Sequence, residues 1–121
     1  MSLIDKTGVL QRLHNGERLQ LELGCGPRKV DPNAIGVDLL DFDGVDLVGD
    51  VYIALAAMPA AGISGVYTSH FLEHVPDLPR LIEELGRVMA PGAALTIIVP
   101  HFSNPFYYSD PTHRTPFGLY T

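Results

Sequence analysis

The sequence predicts an α/β domain built on a parallel sheet. Apolar, strand-like runs recur along it: LQLELG (19–24), AIGVDLL (34–40), VDLVGDV (45–51), ISGVYTSH (63–70) and AALTIIVP (93–100). A stripe of apolar residues at helical spacing separates the last two, and the last run is almost wholly apolar, as a strand covered on both faces should be. Glycines or acids close several of the runs, where open α/β sheets carry their ligands.

Leu3, Ile4, Leu10 and Leu13 predict a short amphipathic helix, closed by Asn15-Gly16. LQLELG alternates and then meets glycine, the pattern of a strand entering a tight turn. Only PRKVDPN separates the first run from the second, and little more than DFDG the second from the third. Parallel crossovers usually need about a dozen residues or more. Either these two are loops or one strand assignment fails. IALAAMPAAG reads as a short helix broken at Pro59. Asp77 and Pro79 mark the start of the strongest helix. Its stripe is Leu78, Leu81, Ile82, Leu85, Val88 and Met89, and Pro91-Gly92 ends it.

The bulk properties fit one domain, 1–121, with 46% hydrophobic and 18% charged residues to build a core. A net charge of −6 disfavours nucleic acid as a main partner, because phosphate binding rests on clustered Lys and Arg. The single cysteine, Cys25, cannot form an internal disulfide. With an N-terminus too mixed for a signal peptide and no apolar run long enough to span a bilayer, a soluble, cytoplasmic protein is expected.

LELGCG carries the main chemical signal. Glycines let the backbone turn sharply and approach a ligand closely. Glu22 precedes the first glycine by two residues, Asp38 ends the second run, and Asp50 ends the third. A carboxylate in such a crevice accepts hydrogen bonds from a ribose diol. Gly-x-Gly alone is a weak sign and equally fits a plain tight turn; the acids give it weight.

At these residues the chain resembles the class I S-adenosylmethionine-dependent methyltransferases. LELGCG is similar to their acid-x-Gly-x-Gly motif, IGVDL to the second-strand motif and GDV to the third. YTSHFLEHVPDLPRLIEELGRVMAPGAALTIIVP resembles their fourth strand, following helix and fifth strand, so the likeness covers residues 19–100. It implies a Rossmann-like sheet of order 3-2-1-4-5 and S-adenosylmethionine as cofactor. It also implies positions. Gly24, Cys25 and Gly26 would face the methionine part, with Glu22 orienting the loop or reaching the amino group. Asp38 would bind the ribose hydroxyls with Leu39 against the adenine. Asp50 would accept from the adenine amino group beside the Val51 backbone. Ser69 and His70 would border the amino group and the methyl donor. The family's frequent third glycine is here Arg28, which would pair with the cofactor carboxylate or be solvated. The family continues past strand five with a helix and two further strands. The chain is therefore expected to be a fragment, a truncated form, or a minimal version whose strand-five edge is covered by a partner or a second copy.

HFLEH (70–74) also spells the inverted zinc-hydrolase pattern H-x-x-E-H, which needs both histidines one turn apart on a regular helix. His70 follows a predicted strand and Pro76 interrupts any helix, so a crevice role is preferred, and no metal is expected there. His74 reads equally as a structural or a catalytic residue. Cys25 reads as a small packed residue of the turn, and Glu83 and Glu84 as a solvated helix face. The tail holds His101, Asp110, His113 and six aromatics, including Phe106 and Tyr107. It would enclose an acceptor, cover the sheet edge or, less readily, hold a metal. His70, His74, His101 and His113 are the candidate general bases.

The expected activity is methyl transfer to a small-molecule, lipid or glycan-precursor acceptor. The alternative is a non-catalytic or incomplete cofactor-binding module acting through a partner chain. A nicotinamide dehydrogenase is the further rival, weakened because Lys29 stands where G-x-G-x-x-G needs its third glycine.

Overall fold

A computed structural model of the chain describes residues 3–69 and 71–98. Its elements are β1 (Ile4–Asp5), α1 (Val9–His14), β2 (Leu19–Leu23), β3 (Ile35–Asp38), β4 (Leu47–Val48), α2 (Val51–Ala56), β5 (Ile63–Ser69), α3 (Leu78–Val88) and β6 (Met89–Ile98). A single 3₁₀ turn, Leu72–His74, lies between β5 and α3.

The strands form one sheet in the order β1-β4-β3-β2-β5-β6. All pairings are parallel except β1 with β4, where Ile4 faces Val48. The expected all-parallel sheet of five strands is thereby corrected to a mixed sheet of six: β4-β3-β2-β5-β6 are the five expected runs in the order 3-2-1-4-5, and β1 is added antiparallel at the edge. The added strand comes from the segment assigned to the first helix. Asp5 explains the break: its carboxylate accepts from the backbone N–H groups of Thr7, Gly8, Val9 and Leu10. Those are otherwise unpaired donors at the start of a helix. Helix α1 therefore starts at Val9, and Ile4 is left extended on the sheet edge.

Both doubtful crossovers are loops. Residues 24–34 and 39–46 reach the next parallel strand without a helix. The third strand is shorter than expected. Gly49 turns the chain at φ 154°, and Asp50 then N-caps α2, its Oδ1 accepting from Tyr52 N (2.8 Å) and Ile53 N (3.3 Å). Val51 thus belongs to a helix.

Helix α3 begins where the sequence places it, with Asp77 accepting from Arg80 N. It ends at Val88, before Pro91-Gly92, which lie within the span of β6. There the register shifts between the pairs Ile63–Met89 and Gly65–Ala94. Leu81, Leu85 and Val88 are buried as expected, whereas Ile82 is 42% exposed and Met89 is strand. One apolar core joins α1, α2 and α3 to a single face of the sheet through Leu21, Leu23, Ile35, Val37, Leu47, Ile63 and Val66. Arg87 ties α3 to the end of α2, donating to the carbonyls of Leu55 (2.7 Å) and Met58 (3.0 Å). It also pairs with Glu84, which is therefore engaged rather than simply solvated.

Candidate functional site

The C-terminal ends of β2 and β3 create the site. Gly24 (φ 65°) and Gly26 (φ 62°) both occupy the left-handed region, which only glycine adopts without strain. Gly24 N and Cys25 N donate to the Val37 carbonyl, so the turn continues the β2–β3 pairing past the end of β2. A Cβ on Gly24 would stand 2.7 Å from the Phe71 ring.

Asp38 is the hub. Its Oδ2 accepts from Gly26 N at 2.8 Å, and its Oδ1 accepts from Leu40 N at 3.0 Å. These bonds fix the carboxylate, and each oxygen keeps a lone-pair direction for a ligand. Asp38, Leu39, Asp50, Val51 and His74 share one cleft of about 180 Å³. Val37, Gly49, Tyr52, Phe71, Val75 and Pro76 complete its wall. Leu39 is 71% exposed at the mouth, an apolar side chain with little of the core to cover it. Asp50 commits Oδ1 to the α2 cap, and among the described residues no hydrogen bond reaches its other oxygen.

Tyr52 is a cleft residue that the sequence reading missed. Its hydroxyl donates to the Asp77 carbonyl (2.8 Å) and accepts from Asp77 N (3.0 Å). The Arg80 guanidinium lies 4.6 Å above its ring, a cation–π contact. This links α2 to the start of α3 and fixes the cleft wall. The only sequence signal was an aromatic two residues after a capping acid.

Glu22 does not line this cleft. It opens on a second one of about 210 Å³, with Gln20, Tyr67 and Thr96, on the sheet face away from the core. It is 6% exposed, and its Oε1 accepts from Val30 N at 2.8 Å. Burial raises its pKa above the ordinary carboxylate value. The bond to Val30 N ties the loop to β2. Cys25 is buried, and its thiol is pushed up to about 11, first by burial and then by the nearby Asp38 and Glu22 carboxylates. Such a thiol stays protonated and packs, as expected.

A second missed pair lies beneath the loop. Lys29 Nζ donates to Asp46 Oδ2 (2.9 Å) and to the Ala34 carbonyl (2.7 Å). Asp46 also accepts from Gly36 N (2.8 Å) and from the Thr7 hydroxyl (2.7 Å). Burial alone would raise the Asp46 pKa, but these donors outweigh it and hold it below the usual value.

Ser69 is half-buried at the end of β5, paired with Ile98. Of the H-x-x-E-H stretch, Leu72–His74 form a 3₁₀ turn in which His74 N donates to the Phe71 carbonyl, so these residues do not lie on a regular α-helix. His70, His101, Asp110 and His113 lie outside the described residues, so the reading of the tail is an expectation only. Among the described residues no helix is long and apolar enough to cross a membrane.

No protein-family model matches the chain, and no curated protein does. A solved structure does: a SAM-dependent methyltransferase from Archaeoglobus fulgidus, 28% identical, with a TM-score of 0.64 over 90% of this chain. The chain spans 61% of the length of that structure. Its strands and helices are those of a methyltransferase fold.

Proposed function

We propose that the chain binds S-adenosylmethionine in the cleft between Asp38 and Asp50 and serves methyl transfer to a small-molecule, lipid or glycan-precursor acceptor. The carrying observation is the Asp38 carboxylate, pinned by Gly26 N and Leu40 N at the rim of an otherwise largely apolar cleft. The likeness to a SAM-dependent methyltransferase supports the same reading.

In this reading Asp38 accepts from both ribose hydroxyls, Leu39 covers the adenine, and the oxygen of Asp50 outside the α2 cap takes its amino group beside the Val51 backbone. Gly24, Cys25 and Gly26 let the methionine part approach the turn, and Ser69 and His70 border it. When bound, the cofactor supplies a methyl group on a sulfonium whose leaving group departs neutral. The protein's tasks are then alignment and, for an O–H or N–H acceptor, removal of a proton. Alignment is worth up to about 7–11 kcal/mol of barrier, and a general base about 10²–10⁴-fold in rate. His70, His74, His101 and His113 are the candidate bases.

The alternative reading is a non-catalytic or incomplete cofactor-binding module acting through a partner chain. Calorimetric titration with S-adenosylhomocysteine and, separately, NAD tests cofactor choice. One-site binding of the first and none of the second is expected, and the reverse would overturn the reading. Turnover across an acceptor panel, alone and with a candidate partner chain, then separates enzyme from module.

A further inference from the structure

We propose that the buried Lys29–Asp46 ion pair is a positioning device that sets the glycine turn, and through it Asp38, for the cofactor. This rests on the cofactor reading above. The connection from β2 to β3 has no helix, so no helix packs against the sheet to locate residues 24–34. What locates them is polar and directional. Lys29 and Asp46 are 2.9 Å apart, with side chains only 10% and 12% exposed. At such burial a charge persists only when paired and hydrogen-bonded. Asp46 meets that condition through Lys29, Gly36 N and the Thr7 hydroxyl, and so gathers the loop, β3 and the N-terminal segment at one carboxylate.

Gly36 explains how the pair reaches the turn. A Cβ there would lie 2.8 Å from Cys25 Sγ, 2.8 Å from Lys29 Cδ and 3.1 Å from the Gly44 carbonyl oxygen. The bare backbone of β3 therefore seats the lysine stem and the cysteine together. The ammonium is anchored below, its stem holds the loop down, and Cys25 is pressed onto the strand. Its neighbour Gly26 then aims its N–H at Asp38 Oδ2. Glu22 fastens the other side of Lys29 through Val30 N. The hydrogen bonds of Lys29 among the described residues go to Ala34 and Asp46, neither of which lines the Asp38 cleft; it acts through the turn.

The test compares Lys29→Met, which keeps the stem and deletes the charge, with Lys29→Arg and with Asp46→Asn. Amide exchange is read at Gly26 and at core positions of β5 and α3, alongside S-adenosylhomocysteine affinity per folded molecule. Lys29→Met is expected to speed Gly26 exchange and weaken binding about tenfold or more, the scale seen when partners behind ligating groups are lost. Exchange in β5 and α3 should change less, and Lys29→Arg should restore most of the affinity. Asp46→Asn supplies the same comparison if Lys29→Met does not fold. Unchanged Gly26 exchange and affinity in a folded variant would overturn the proposal, as would a uniform rise in exchange across the molecule. If the wild-type protein binds no S-adenosylhomocysteine, the cofactor reading falls; Gly26 exchange still decides whether the pair positions the turn.

Discussion

The crossover from β5 to β6 and the crossover from β2 to β3 return the chain to one sheet by different means. The first runs through α3, whose Leu81, Leu85 and Val88 are buried against the sheet. The second has no helix and is fastened by Glu22 to Val30 N, Lys29 to Asp46, and Asp38 to Gly26 N. Apolar contact is non-directional and sets nearness. Hydrogen bonds fix orientation. The polar crossover is thus the one able to aim backbone N–H groups, and its Gly26 N holds the cleft carboxylate of Asp38 at 2.8 Å, whereas the β5–β6 crossover supplies cleft wall through Phe71, His74, Val75 and Pro76.

The largest expected effect falls on the apolar side. Leu81 is fully buried, and Leu81→Ala should cost about 2–5 kcal/mol in urea unfolding through lost burial and the cavity left behind. The comparison predicts that S-adenosylhomocysteine affinity of the remaining folded protein changes little. A matching loss of affinity would erase the distinction between the two crossovers.

Gly24→Ala should act in the opposite sense. Its backbone conformation costs a non-glycine residue about 1–2 kcal/mol, and the new methyl would press on the Phe71 ring. Affinity should fall more than stability. Adding Phe71→Leu should relieve the clash but not the backbone strain. Full recovery in the double variant would place the whole effect in packing.

The smallest effect concerns Cys25. Its thiol titrates higher in the folded protein, about 11, than the ordinary 9.0. The folded state therefore holds this proton more tightly. The stability linked to it is complete below pH 9 and is lost as pH rises toward 11. Melting temperature followed across that window should fall less steeply in Cys25→Ala than in wild type. Parallel curves would show that Cys25 titrates alike in the folded and unfolded chain.

Much of this frame was legible in the sequence because local and tertiary preferences agree there. Leu19–Leu23 meets glycines that the turn requires, and Asp77 with Pro79 opens α3 as their chemistry dictates. Elsewhere two local readings competed. Ile4 and Leu10 fit one helical stripe, but Asp5 caps the chain between them, so Ile4 pairs with Val48. The sequence reads Asp50 as a strand end, but in the fold it N-caps α2. Pro91-Gly92 seemed to stop a helix that had already ended at Val88. The Lys29–Asp46 pair was illegible because nothing in VDLV announces that its acid is buried. Only the fold brings it under a lysine seventeen residues away. Glu22, grouped by sequence with Asp38 and Asp50, lines a different cleft from theirs.

The most direct measurement of the central claim is calorimetric titration of wild type and Asp38→Ala with S-adenosylhomocysteine, with folding followed in parallel. The account predicts one-site binding to wild type and a loss of about tenfold or more in a variant that still folds, since a buried charge-assisted hydrogen bond is worth about 1.5–3 kcal/mol. Equal affinity in the two proteins would contradict it.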